Sequence, residues 1–216
     1  MRRLKVAVLA ALAMTALIAA PAGATKYVVP RPASVKAMAP PAKVEGVQEA
    51  AELNIQYQVQ ETGYWCGPAA TRIALSARTG DLPSQQQLAN ELPTTTNGTD
   101  WIGQVTRVLS GRVGWYETKE MPNDPPTQAQ RDLLWRDIVL DINNGYAIVA
   151  NIVAPPNNHP PGYPNETIYH YFTVIGYDSS NWSVKIADPA NFGGNQLYWL
   201  SFDQLASLIP PKGYSA

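Results

Sequence analysis

One cysteine and two histidines are all that this 216-residue chain has of the side chains that most often bind transition metals. A structural zinc site uses four such ligands at short, regular spacing. No metal centre is therefore expected, and no cofactor. A single cysteine cannot close a disulfide within the chain. Charge is scarce as well, with 16 basic and 17 acidic residues and a formal balance of −1. Scattered, nearly balanced charge gives no basic stripe for nucleic acid and no polybasic patch for an anionic membrane. Internal repeats are absent.

What is present starts with a leader. MRRLKVAVLAALAMTALIAAPAGA sets Arg2, Arg3 and Lys5 before an apolar run and ends in Ala22-Gly23-Ala24, an A-x-A cleavage pattern. Residues 1–24 read as a secretory signal peptide, since the run lacks the stop-transfer flank of an anchor. The mature protein is expected to begin near Thr25, to be secreted and extracellular, and to leave the membrane once the leader is cut. Its short, Ala-rich form points to a bacterium. Cleavage takes away three basic residues and no acidic ones, moving the formal balance from −1 to −4. Residues 25–47, TKYVVPRPASVKAMAPPAKVEGV, are rich in Pro, Ala and Val without amphipathic period, and read as a linker or a short pro-segment. Residues 48–216 suffice for one domain with its own core, expected to be a monomer.

Within that domain helix signals come first. CGPAATRIALSARTG carries Pro68 in a first turn, where its missing N–H costs nothing, and Gly80 as a stop. Ala69, Ala70, Ile73 and Ala77 recur at helical spacing, and such small residues imply close packing on another element. Capping boxes are expected at Ser84-x-x-Gln87, Thr127-x-x-Gln130 and Ser201-x-x-Gln204. Gly145 reads as the glycine that ends the second of these helices. DWIGQVTRVL predicts a further short helix ending at Gly111. Strand signals follow in YAIVANIVA, TIYHYFTVIGYD, WSVKIAD and NQLYWLSF, rich in β-branched and aromatic residues. PPNNHPPGYPNE, between the first two, has no regular period. Helices followed by an antiparallel sheet give an α+β fold.

The lone cysteine, Cys66, opens the first helix in QETGYWCGPAA. Exported domains that use cysteine for stability use it in pairs, so a buried, inert thiol and a reactive one compete as readings. A helix N-terminus favours a thiolate through its unpaired N–H groups and dipole. An imidazolium would favour it further. His159 lies in the Pro-rich loop, whereas His170 lies in a strand that can aim its ring. Asp188, in KIADP, ends the next apolar run and can orient that ring. Asp178 reads as a hairpin turn residue, and Asn191 as a weaker competitor. An oxyanion would need a second donor beside the Cys66 N–H. Gln60, Gln58 and Gln56 lie six, eight and ten residues upstream, and the residues alone leave the choice open. Tyr64, Trp65 and Trp101 read chiefly as core. TTTNGTDW reads either as a cleft rim or as a helix start capped by Asp100.

QETGYWCGPAA, HYFTVIGYD and ADPA together resemble the papain-like superfamily of cysteine peptidases, most closely the branch of the bacteriocin-processing, double-glycine peptidases. The resemblance covers roughly residues 56–189. It implies a papain-like fold, with the nucleophile helix of an N-terminal helical half packed on a C-terminal antiparallel sheet. It also implies Cys66 as nucleophile, His170 as acid and base, Asp188 as orienter and Gln60 as oxyanion donor. Processing peptidases of this branch are cytoplasmic domains of export transporters, whereas the leader here implies an exported protein.

The expected activity is thus hydrolysis of peptide bonds in a peptide or protein substrate. Three alternatives remain open on the same scaffold. They are a hydrolase or amidase acting on cell-wall peptides, a transglutaminase-like acyl transferase, and a non-catalytic binding domain.

Overall fold

The computed structural model describes residues 26–216, so the predicted leader lies outside the described residues. Among the described residues seven strands form one antiparallel sheet. They are β1 (Ala50–Glu52), β2 (Thr118–Glu120), β3 (Ile148–Ala154), β4 (Ile168–Asp178), β5 (Ser183–Ala187), β6 (Leu197–Ser201) and β7 (Gly213–Ser215). The order is β2-β7-β3-β4-β5-β6. β3 pairs with Ile168–Val174 of β4, and β1 takes up the same side at Gly176–Asp178. β1, β2 and β7 are three residues each, too short for a readable alternation, and only pairing with distant strands defines them.

Helices α1 (Cys66–Ser76), α2 (Gln85–Glu91) and α3 (Ile102–Val113) build one core with Val149, Tyr171 and Ile175 of the sheet. Helices α4 (Gln128–Asn143) and α5 (Phe202–Leu208) build a second core with Ile148, Phe172, Val174 and Ile186. The fold is α+β, with the helix that begins at Cys66 packed on an antiparallel sheet as expected. Ala69, Ala70, Ile73 and Ala74 are wholly buried, and the Thr173 hydroxyl of β4 donates to the Ala70 carbonyl at 3.0 Å. Small side chains let the helix approach that closely.

Ser84 and Thr127 form the expected capping boxes, and Gly145 follows α4 at φ +85°. Ser201 caps α5, but the Gln204 amide turns away to the His159 carbonyl at 3.0 Å. That bond ties α5 to the Pro-rich loop. α3 runs past Gly111 to Val113, because Gly114, at φ +67°, is the glycine that can leave the helix in a left-handed turn. Residues 26–47 follow the sheet edge and the α4–α5 side. Val28 bridges Trp199, the Val29 N–H donates to the Trp199 carbonyl at 2.9 Å, and the Ala42 N–H donates to Asp132 at 3.1 Å.

Asp141 is a buried carboxylate with one good partner. It is 4 % exposed, its Oδ1 accepts from Trp115 Nε1 at 2.8 Å, and its Oδ2 has no partner. Burial pushes its pKa up to about 6, above the 3.8 of an ordinary aspartate. The folded state therefore holds this proton more tightly than the unfolded chain does. Stability from this group is present at low pH and is lost as pH rises from about 4 through 6, by roughly 3 kcal/mol at most. Asp141→Asn should remove this part of the pH dependence. Thermal unfolding of both proteins from pH 4 to pH 8 checks it, with the mutant's melting temperature falling less across that range.

Candidate active site

α1 begins at Cys66 behind Trp65, which supplies no side-chain cap. The first N–H groups of the helix are thus available to an anion. Gly67 is required beside it, since a Cβ there would lie 2.2 Å from Thr99 Oγ1. Thr99 is itself held by a 2.7 Å hydrogen bond with Thr94, and Thr95 and Gly98 pair across a tight turn with Gly98 at φ +89°. The loop TTTNGTD is thereby pressed against the start of α1.

His170 is the third residue of β4, opposite Ile152 of β3, and is 4 % exposed. Its Nε2 meets Asp188 Oδ1 at 2.8 Å, leaving Nδ1 as the ring nitrogen for the thiol. The ring is walled by Tyr163, Phe192 and Phe172, at centroid distances of 6.0, 6.2 and 6.4 Å. Asp188 comes directly after the last β5 residue, Ala187, which pairs with Thr173. The structure therefore brings Cys66, His170 and Asp188 together.

Every acceptor direction of Asp188 is used. Oδ1 also accepts from the Ala190 N–H at 3.0 Å. Oδ2 accepts from the hydroxyls of Tyr163 at 2.8 Å and Tyr198 at 2.6 Å. Its backbone carbonyl accepts from Tyr57 Oη at 2.8 Å. Sequence reasoning missed these three tyrosines, and no sequence signal marks them. Tyr163 sits in the aperiodic loop, Tyr198 reads as one strand residue among several, and Tyr57 precedes α1 in an extended segment.

The charges follow from these contacts. Burial pushes the Cys66 thiol up, but the hydrogen bond and charge of His170 and the N–H groups of Tyr171 and Gly67 outweigh it, leaving the thiol below its ordinary value. Burial pushes His170 down, while the charge and hydrogen bond of Asp188 and the nearby Cys66 raise it well above the usual imidazole value. Burial pushes Asp188 up, yet His170, Tyr198 and Tyr163 hold it below the usual carboxylate range. The arrangement favours a thiolate beside an imidazolium, which is a nucleophile beside its acid.

The glutamines separate by their partners. The Gln60 N–H donates to the Pro189 carbonyl at 2.9 Å, which puts Gln60 beside the Asp188 turn. Its Nε2 donates to the Thr62 carbonyl at 2.8 Å, and its Oε1 is buried without a partner. Gln58 is bound to Gln85 at 2.9 Å, and Gln56 is exposed. His159 Nε2 pairs with the Glu166 carbonyl at 2.8 Å and serves its own loop. Asp178 holds the β4–β5 turn through Ser180, and Asn191 is a left-handed turn residue.

A cleft of about 290 Å³ opens at Cys66 and His170, lined also by Tyr64, Asn97, Asp100, Asn151 and Lys212. Hollows of about 520 and 560 Å³ elsewhere involve residues 34–49 and bring no nucleophile and base together. The rim reading of TTTNGTDW holds. Asp100 does not cap α3, because Trp101 occupies that position with its N–H bonded to Gln104 at 3.0 Å. Core packing fails for the three aromatics, since Tyr64 is 37 % and Trp101 53 % exposed and Trp65 is half-buried.

A direct check is the alkylation of Cys66 by iodoacetamide as a function of pH. The inflection should lie below the ~8.5 of a free thiol and move upward in His170→Ala, because the thiolate loses its positive partner. An unchanged profile in the mutant would break the pairing of thiol and imidazole.

No curated protein matches the chain. Among solved structures, Xylellain, a cysteine protease from Xylella fastidiosa, is similar at 12 % identity, over 88 % of this chain and 90 % of its own, with a TM-score of 0.50. The peptidase domain of Streptococcus ComA, a bi-functional ABC transporter, is 17 % identical over 73 % of this chain and 93 % of its own, with a TM-score of 0.46. A double glycine motif protease from an AMS/PCAT transporter, solved with a leader peptide, is 11 % identical over 76 % and 91 %, with a TM-score of 0.45. The model of the Peptidase_C39 like family matches residues 52–207, from the last residue of β1 into α5. That span takes in the start of α1, both partnered strands and the Asp188 turn, and on it the chain belongs to the Peptidase_C39 like family and is a cysteine peptidase.

Proposed function

We propose that the protein is an exported peptidase that cleaves peptide bonds through Cys66, His170, Asp188 and Gln60. The observation that carries this reading is the unbroken line from the start of α1 through the His170 ring to a fully bonded Asp188 carboxylate. Export rests on the leader sequence MRRLKVAVLAALAMTALIAAPAGA.

The Cys66 thiolate attacks the carbonyl carbon of the scissile bond, whose oxygen becomes an oxyanion. The Cys66 N–H and the Gln60 amide stabilise that charge. Gln60 Nε2 has two N–H groups, and only one is engaged by Thr62. His170 protonates the leaving amine, the carbon–nitrogen bond breaks, and an acyl-thioester remains on Cys66. His170 then takes a proton from water, whose oxygen attacks the thioester and releases the acid. Asp188 holds the ring and its charge through both steps without taking the proton itself.

The test is digestion of a peptide library by the chain lacking residues 1–24, read by mass spectrometry. Wild type should yield defined cleavages and Cys66→Ala none. Gln60→Ala should lower kcat by about 10²–10³ while leaving Cys66 alkylation intact, because it acts on the oxyanion and not on the thiol. No cleavage of any peptide, or cleavage that persists in Cys66→Ala, would overturn the reading.

A further inference from the structure

Three phenols converge on Asp188, two on its carboxylate and one on its backbone carbonyl, and they come from segments far apart in the chain. Tyr57 lies in the extended run before α1, Tyr163 in the loop between β3 and β4, and Tyr198 in β6. The two hydroxyls on Oδ2, at 2.8 and 2.6 Å, fix which carboxylate oxygen is left for the imidazole. We propose that Tyr163 and Tyr198 are positioning residues for the peptidase reaction, a clamp that holds Asp188 Oδ2 so that Oδ1 stays on His170 Nε2. This rests on the reading of Cys66 and His170 given above.

Two observations set Tyr163 apart from an ordinary tyrosine bonded in a core. Tyr163 does double duty, since its ring also stands edge-on to His170 at 6.0 Å and to Phe192 at 4.7 Å. Its placement also needs a special seat. Gly162 has φ +80°, and a Cβ there would lie 2.2 Å from the Phe192 carbonyl oxygen. The aperiodic loop thus docks on the turn after Asp188 by a contact that only glycine permits, and so delivers the Tyr163 hydroxyl.

The groups facing Asp188 are His170 from β4, Tyr163 from the loop, Tyr198 from β6 and Tyr57 from the segment before α1, with Cys66 of α1 beyond the ring. Removing the two Oδ2 donors acts on this set in one direction. The carboxylate loses partners for its charge and takes up its own proton at a higher pH. While it stays ionised, its less neutralised charge opposes the thiolate beyond the ring. Both effects raise the pH at which Cys66 regains its proton.

The experiment measures Cys66 alkylation against pH in Tyr163→Phe, Tyr198→Phe and the double variant. Each is also tested with the best cleaved peptide and in thermal unfolding. The acid limb should move up by about one pH unit in the double variant and by less in each single variant. Loss of hydrogen bonds to a charged group should lower kcat by about tenfold, with KM little changed. A merely structural role would lower the melting temperature and leave the pH profile in place, and that result overturns the clamp. Should the double variant fail to fold, 3,5-difluorotyrosine at position 198 decides the matter. It is a stronger donor of nearly the same shape, so the limb should move down, and an unmoved limb counts against the proposal. If His170→Ala leaves the wild-type alkylation profile unchanged, the reading of the site itself falls and takes the clamp with it. If His170→Ala shifts the profile and the phenol variants do not, only the clamp fails.

Discussion

Thr173 is the residue on which the geometry of the site turns. Its hydroxyl binds the Ala70 carbonyl of α1, while its backbone faces Ala187, the last residue of β5, and Val149 of β3. Cys66 lies one helical turn before Ala70, Asp188 follows Ala187, and His170 lies three residues before Thr173 on the same strand. One strand position therefore fixes the helix of Cys66 and the strand leading to Asp188 against each other, with the His170 imidazole between them. The contact exists because α1 turns alanines toward the sheet. A larger side chain at Ala69, Ala70 or Ala74 would lift the helix, and the first displacement would fall on the thiol.

Two buried carboxylates in the same domain show what the site does with charge. Asp141 has one donor and a bare second oxygen, and burial drives its pKa up to about 6. Asp188 is more deeply enclosed, yet it is held below the usual range by the imidazolium, the Tyr198 and Tyr163 hydroxyls and the Ala190 N–H. Donor number and placement separate them, rather than depth. A buried charge is costly when unpaired and well behaved when every lone pair has a partner. The fold keeps one carboxylate reluctant to ionise on α4 and another firmly ionised at the end of β5.

Much of this was legible in the sequence, and for local reasons. The start of α1 is written in Cys66-Gly67-Pro68, the strand that carries His170 in β-branched and aromatic residues, and the end of β5 in an apolar run stopped by Asp188-Pro189. Two of the expected capping boxes and the glycine after α4 are likewise set by residues within one turn of each other. What was not legible depends on contacts between segments far apart in the chain. β7 lies between β2 and β3, yet Gly213–Ser215 follows two prolines and has no alternation of its own. Tyr163, Tyr198 and Tyr57 are unremarkable until the fold points three hydroxyls at one residue. Asp100 looked like a cap because capping residues and cleft-lining polar residues are the same residue types. Only the backbone at Trp101 distinguishes them.

The segment ahead of the domain has its own physical logic. As the outer strand of the sheet, β6 would present unpaired backbone groups, and exposed edges of this kind invite pairing with other chains. Val28 and Val29 cover that edge at Trp199, and Lys26 reaches Asp178 at 3.0 Å. Farther along, the Ala39 carbonyl accepts from Arg131, whose guanidinium is buried and paired with Asp203 at 2.6 Å. These attachments fall on β6, the end of β4, α4 and the start of α5, and none of the residues from 26 to 47 lines the cleft at Cys66. Residues 26–47 run along the β6 edge and the α4–α5 face of the sheet, where Val29, Val44 and Val47 pack against the second core.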